Sequence, residues 1–273
     1  MWSLLSLLTV ASGTVPPFQL AAMTFAIGGG FGAATWLFRP GAARVLRQPL
    51  PVWVLGVGGL FGFHALFFFA LRLAPPAEAQ LVNYLWPLFI VLGSALLPNH
   101  HLQPYHVIGA LIGLAGTVVL FIGRGGISFA SAYWPGFLCA GGAAFTWATY
   151  SVLSRRFAAV PTDAVAGFCL ATAALAALFH LLFESTQWPQ TTGQWLAILV
   201  MGIGPVGAAF YVWDIGMKHG DIRILGVASY FAPLLSTACL LLAGYAEASM
   251  SLGIAAALIA GGGLIAAKDL LRR

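Results

Sequence analysis

The sequence predicts an all-α polytopic membrane protein of ten transmembrane helices, built as two inverted five-helix repeats. Three observations predict it. Of 273 residues, 60% are hydrophobic and only 7% are charged, whereas soluble domains carry about 25% charged residues. Apolar runs long enough to cross a bilayer recur along the whole chain, punctuated by Pro, Gly and charge. The stretch Asn83-Tyr84-Leu85-Trp86-Pro87 is echoed later by Ser229-Tyr230-Phe231-Ala232-Pro233.

The runs give spans at about 2–13, 17–37, 52–72, 76–97, 105–123, 134–156, 161–184, 194–217, 222–243 and 250–269. The connecting loops are short, and no soluble domain, linker or low-complexity tract separates them. The first run is too short to cross alone, and little precedes Trp2. The expectation is that this helix extends upstream of Met1. A signal peptide fits poorly, because no basic residue precedes the run.

Charge sets the orientation. With the N-terminus cytoplasmic, the inner segments hold Arg39, Arg44, Arg47, Arg155, Arg156, Lys218, Arg223, Lys268, Arg272 and Arg273. The outer segments hold only Arg72 and Arg124. That asymmetry follows the positive-inside rule and puts both termini in the cytoplasm. The net charge of +5 is thus a topology signal, and nucleic acid is not expected as a partner. Cys139, Cys169 and Cys239 lie in apolar runs and read as packing residues.

The echo extends further. A shift of 146 residues brings Gly58 onto Gly204, Arg72 onto Lys218, Tyr84 onto Tyr230 and Pro87 onto Pro233. A shift of 145 brings Trp2 onto Trp147. The halves are 1–125 and 126–273. Five spans in each half force opposite orientations, and inverted repeats with a central site mark transporters. The competing explanation is coincidence between two Leu- and Ala-rich sequences.

These features resemble the drug/metabolite transporter superfamily, in its EamA-like branch. The resemblance rests on the five-plus-five repeat, on AEAQLVNYLWPLF in the fourth span and on Trp2-Ser3 in the first. It covers nearly the whole chain. It implies a multi-pass bacterial inner-membrane exporter with a central cavity, working by alternating access. The implied substrates are amino acids, aromatic ones foremost. The resemblance implies no cofactor or metal, and a monomer is expected.

Candidate substrate-binding residues follow from polar and aromatic groups inside the spans. Tyr84 and Trp86 lie well inside the fourth span with Asn83, although Trp and Tyr usually gather at the interface. Trp147 and Tyr150 share a face of the sixth span. Tyr230, Tyr211 and Trp2 complete the aromatic set, which suits stacking and cation–π contacts. For each, helix packing is the alternative. His64 is the ionisable group deep within the first half, a functional candidate by position. It could bind a carboxylate, donate a hydrogen bond or relay protons; a packing histidine is the alternative.

Pro87 and Pro233 should break helix hydrogen bonds at matching places and serve as hinges. Asp214 is expected to pair with Lys218 four residues on. Glu78 and Asp221 read as helix-start residues, and His180 and Glu184 as interfacial. His100-His101 lacks further ligands for a metal. Gly58/Gly62 and Gly109/Gly113 have the spacing of close helix contacts. Residues 202–207 fit a dinucleotide fingerprint formally, but inside a membrane span with no strand before them. A rival reading is an exporter of cationic drugs or other metabolites, which would need a carboxylate such as Asp214. A lipid-modifying enzyme is disfavoured, because His64 stands without a nucleophile or metal-ligand partner in the pattern.

Overall fold

The structure, a computed structural model, describes residues 1–39, 41–98, 101–123, 130–242, 244 and 249–268, without the side chains of Ser6 and Leu240. Arg124, Arg272, Arg273 and His100 lie outside the described residues. All regular structure among those described is helical. In chain order the α-helices are α1 (Leu5–Ala11), α2 (Pro17–Ala34), α3 (Leu50–Leu73), α4 (Pro76–Asn83), α5 (Trp86–Gly93), α6 (Pro104–Ile122), α7 (Trp134–Ser154), α8 (Ala164–Phe183), α9 (Thr192–Ile203), α10 (Ala209–His219), α11 (Ile222–Ala228), α12 (Phe231–Leu242) and α13 (Met250–Ala266).

Among the described residues, seven helices are long and apolar enough to cross a membrane: Pro17–Phe38, Leu50–Leu73, Pro76–Leu96, Pro104–Ile122, Ala164–Phe183, Thr192–His219 and Ile222–Cys239. Trp2–Ala11 and Met250–Ala266 are shorter apolar helices. α7 has the length, at 21 residues, but its Trp, Tyr, Gly, Ser and Thr residues make it more polar.

Local chemistry sets the helix starts. Pro17, Pro76 and Pro104 each open a helix, where the missing N–H costs nothing. Thr191 and Gln194 form a capping box on α9, and Ser249 caps α13. The Asp221 carboxylate accepts from the Arg223 N–H at 3.0 Å, capping α11. The Arg223 guanidinium also binds that carboxylate at 2.6 Å and reaches the His101 carbonyl at 3.0 Å.

Among the described residues, three spans are interrupted. α4 gives way to α5 at Tyr84-Leu85, and α11 to α12 at Ser229-Tyr230. Each break lies just before the proline that the sequence singles out, Pro87 or Pro233, because proline cannot return a hydrogen bond to the residue four before it. Between α9 and α10, Gly204–Ala208 forms a π-helical turn around Pro205.

Two compact units result. One joins Met1–Ala65 with Leu153–His219, the other Leu66–Val152 with Gly220–Arg273. In the first, α2 packs chiefly on α8; in the second, α6 packs chiefly on α13. Absent side chains permit this. A Cβ on Gly109 would lie 2.6 Å from the Gly262 carbonyl oxygen and 2.9 Å from Ala266 Cβ. Gly58 corrects the expectation from spacing. A Cβ there would meet nothing within 4 Å, whereas one on Gly56 would press on the Phe168 ring at 2.6 Å.

Two outcomes follow. Gly109→Leu forces α6 from α13 and should cost about 3 kcal/mol, as overpacking does, read as a lower thermal midpoint in detergent; Gly58→Leu should leave the midpoint near wild type. Partial burial pushes the Asp221 carboxyl up, but the hydrogen bonds and charge of Arg223 outweigh it and hold the group below its ordinary value. A folded-state value below the unfolded one adds stability that is complete above the unfolded value and lost as pH falls through the folded one. Asp221→Asn should therefore flatten the acid limb of the stability profile below about pH 4, measured by thermal shift against pH.

Candidate functional site

In the first unit, aromatic rings gather around His64. The ring of Phe25 meets that of His64 edge to face at a centroid distance of 4.9 Å, and Phe63 meets it at 5.0 Å. Phe25 stacks on Phe210 at 5.5 Å with planes 14° apart. His64 Nδ1 lies 2.7 Å from the Leu60 carbonyl oxygen. A carbonyl only accepts, so Nδ1 carries the proton in that pair. The ring is thereby fixed in orientation within a wall of phenyl groups, partly exposed rather than sealed.

Trp2 joins the same group. Its indole lies 5.0 Å from Trp213 and 6.0 Å from Phe210. Its Nε1–H donates to the Pro205 carbonyl at 2.9 Å, inside the π-helical turn. Tyr211 leans over α2, where its hydroxyl donates to the Gly28 carbonyl at 3.3 Å and lies over the space that a Gly32 side chain would fill. Residues 202–207 thus serve helix packing: a Cβ on Gly28 would lie 2.8 Å from both the Gly202 oxygen and Gly207 Cα.

In the second unit, Trp86 and Trp147 meet edge to face at 6.4 Å, and Trp147 lies 5.3 Å from Tyr150. All three are buried. Trp86 opens α5 directly after the break, so the interruption aims it. Asn83 closes α4 and is buried. Tyr84 lies in the break, half-buried, with its ring 6.1 Å from Phe121. Tyr230 is fully buried in a core with Val91, Ala110, Val227, Ile259 and Ala266. Its ring covers Gly113.

Asp214, Lys218 and Glu184 are engaged in structure. Lys218 Nζ donates to Asp214 Oδ2 at 2.7 Å and to the Val160 carbonyl at 2.8 Å. The Thr162 hydroxyl donates to the same carboxylate oxygen at 2.7 Å. Glu184 does more than its interfacial position suggests. It accepts from the backbone N–H groups of Phe18, at 3.0 Å, and Gln19, at 3.1 Å, and so caps α2 from the far end of α8. His180 Nδ1 lies 3.0 Å from the same carboxylate. Among the described residues, no group of three or more His, Cys, Asp or Glu could hold a metal ion.

Each unit therefore offers a ring cluster with embedded polar atoms. Such a surface can stack on an apolar or aromatic solute and hold a cation at ring faces. Sequence reasoning singles out Trp2, His64, Trp86, Trp147 and Tyr150 but passes over Phe25 and Phe210. Phe residues are common in spans, and nothing local marks these two as His64 neighbours.

The sequence profile of the EamA-like transporter family matches residues 1–122 and 134–267. The chain is 61% identical to the aromatic amino acid exporter YddG of Ancylobacter novellus, over 97% of this chain and 93% of that protein. It is 27% identical to the aromatic amino acid exporter YddG of Escherichia coli, over 69% of this chain and 66% of that protein. It also superposes on a crystal structure with a TM-score of 0.95 at 60% identity, covering 99% of this chain and 94% of the other.

The buried pair has a measurable signature. Asp214→Ala leaves Lys218 charged and buried, and should cost about 3 kcal/mol or more. The double variant Asp214→Leu/Lys218→Met removes both charges and should recover much of that loss, as thermal unfolding in detergent would read.

Proposed function

Because the chain belongs to the EamA-like transporter family, we propose that it exports amino acids, aromatic ones foremost, across the bacterial inner membrane. It is a transporter, not an enzyme. The observation that carries the substrate reading is the 61% identity to an aromatic amino acid exporter across nearly the full length of both proteins. The ring clusters agree with it. Trp86, Trp147, Tyr150 and Tyr84 in one unit, and Trp2, Tyr211 and His64 in the other, offer apolar contact with isolated polar atoms. Tyr230 contributes from within the packing core.

The proposal includes ten spans in two inverted repeats, 1–125 and 126–273, with both termini cytoplasmic and the protein acting as a monomer. Helix positions support the repeat: α4 and α11 begin 146 residues apart, as do α6 and α13. In our reading, transport runs by alternating access, with hinges at Pro87 and Pro233. The interruptions of both spans next to these prolines support it, since a broken helix bends at lower cost than an intact one. Transport is facilitative: the buried carboxylate of Asp214 is already engaged with Lys218 and Thr162, which also disfavours a cationic-drug exporter. Proton exchange through His64 is the competing mechanism.

Labelled phenylalanine flux in proteoliposomes tests the reading. Wild type should move phenylalanine faster than a cationic dye. Trp86→Ala should lower that flux roughly tenfold or more, the scale set by losing a stacked aromatic contact. Uphill phenylalanine movement under an imposed pH gradient, lost in His64→Ala, would replace facilitation with proton exchange. Dye flux with phenylalanine excluded would overturn the substrate assignment.

A further inference from the structure

Asn83 is only 3% exposed, and its side-chain oxygen Oδ1 has no hydrogen-bond partner among the described residues. It ends α4 at the interruption of a membrane span. Its main-chain carbonyl is the one that residue 87 would bond in a continuous helix, and Pro87 has no N–H to give. One residue thus brings together two acceptor oxygens deprived of their ordinary donors. Packing does not call for this. A leucine, with the same branched skeleton, would place apolar atoms there without a buried unsatisfied amide.

Two other buried polar atoms without partners have simpler settings. Gln19 Nε2 belongs to the network that caps α2, where the same side chain already accepts from the Gln187 N–H at 2.9 Å. Thr172 lies inside α8, where a hydroxyl rotor can turn to its own helix carbonyls. Asn83 lies instead at a helix break three residues before Trp86, whose ring meets Trp147. Interrupted membrane helices that expose acceptors beside aromatic faces suit a cationic group.

We propose that Asn83 receives the α-ammonium group of the transported amino acid, through its side-chain oxygen and its main-chain carbonyl, while the neighbouring rings of Trp86 and Trp147 take the side chain. An ammonium offers three donors and no acceptor, which complements a side-chain oxygen without a partner and a main-chain carbonyl that Pro87 cannot serve. The main-chain carbonyl fixes the acceptor character of the site whichever way the side-chain amide is turned. The inference rests on the amino acid export reading above.

The test compares phenylalanine with 3-phenylpropionate, which keeps the ring and carboxylate but lacks the ammonium, in proteoliposomes of the full chain. Wild type should prefer phenylalanine. Asn83→Leu should keep or raise the thermal midpoint, raise KM for phenylalanine roughly tenfold or more, as loss of a hydrogen bond to a charged group does, and erase the preference. Asn83→Asp keeps only acceptors and should retain the preference. Asn83→Leu with wild-type KM would overturn the proposal. So would a folded Asn83→Asp protein that loses phenylalanine flux, and this variant decides the matter if Asn83→Leu fails to fold. Wild type moving both solutes equally well would overturn the ammonium assignment and leave export standing. Wild type moving neither would overturn export, and the inference with it.

Discussion

In hydrocarbon, a backbone N–H or C=O released from its helix has no water to turn to. This constraint organises the molecule. Every interruption of a span creates such groups, and at several places the structure meets open backbone groups with a particular side chain. At the π-helical turn, the Pro205 carbonyl takes the indole N–H of Trp2. On the facing stretch of α2, the Gly28 carbonyl takes the Tyr211 hydroxyl. The first turn of α2 presents free N–H groups, and Glu184 reaches across from α8 to bind two of them. Aromatic and carboxylate groups that look like binding equipment in the sequence are, at these places, partners of the backbone first.

The legible part of the fold is the part set locally. Apolar runs mark the spans, because crossing requires about 20 apolar residues. Pro87 and Pro233 locate the two breaks, because the lost hydrogen bond lies four residues away in the same helix. The Asp214–Lys218 pair and the Asp221 cap are likewise short-range consequences of spacing. Illegible contacts join residues far apart in the chain. Glu184 lies 166 residues from Phe18. Gly58 and Gly56 have the same chemistry, and only the ring of Phe168 on the opposing helix decides which of them is a contact. Phe25 and Phe210 belong to the His64 group for the same reason: tertiary packing chose them from many phenylalanines.

Packing also uses the halves of the sequence in a definite way. Within each unit the most extensive helix pairing joins one helix from each half, α2 with α8 and α6 with α13. Neither half could bury these faces by itself. Small residues carry the contact in both pairs: Gly29 lies against the backbone of α8 at Ala166 and Leu170, and Gly109 against that of α13 at Gly262. With no hydrophobic drive between helices in lipid, close backbone approach supplies the association. Close pairs of this kind contrast with the proline breaks, where helical hydrogen bonding is interrupted.

The internal echo preserves the break but not its chemistry. Both copies stop a helix one or two residues before an aromatic side chain and resume it around a proline. At the second copy the side chains chiefly pack. The Ser229 hydroxyl donates to the Leu225 carbonyl at 2.7 Å, the Tyr230 ring is buried over Gly113, and Ala232 stands where the first copy has Trp86. At the first copy, Asn83 keeps an unpartnered oxygen, Tyr84 is half-buried and Trp86 is turned onto Trp147. A backbone device that interrupts two spans alike therefore leaves a polar and aromatic surface at one of them. Divergence of this kind suits a transporter whose solute has distinct ends. A two-fold related pair of identical sites would hold a ring and an ammonium no better on one side than on the other, whereas one packed break and one polar break would give such a solute a preferred orientation.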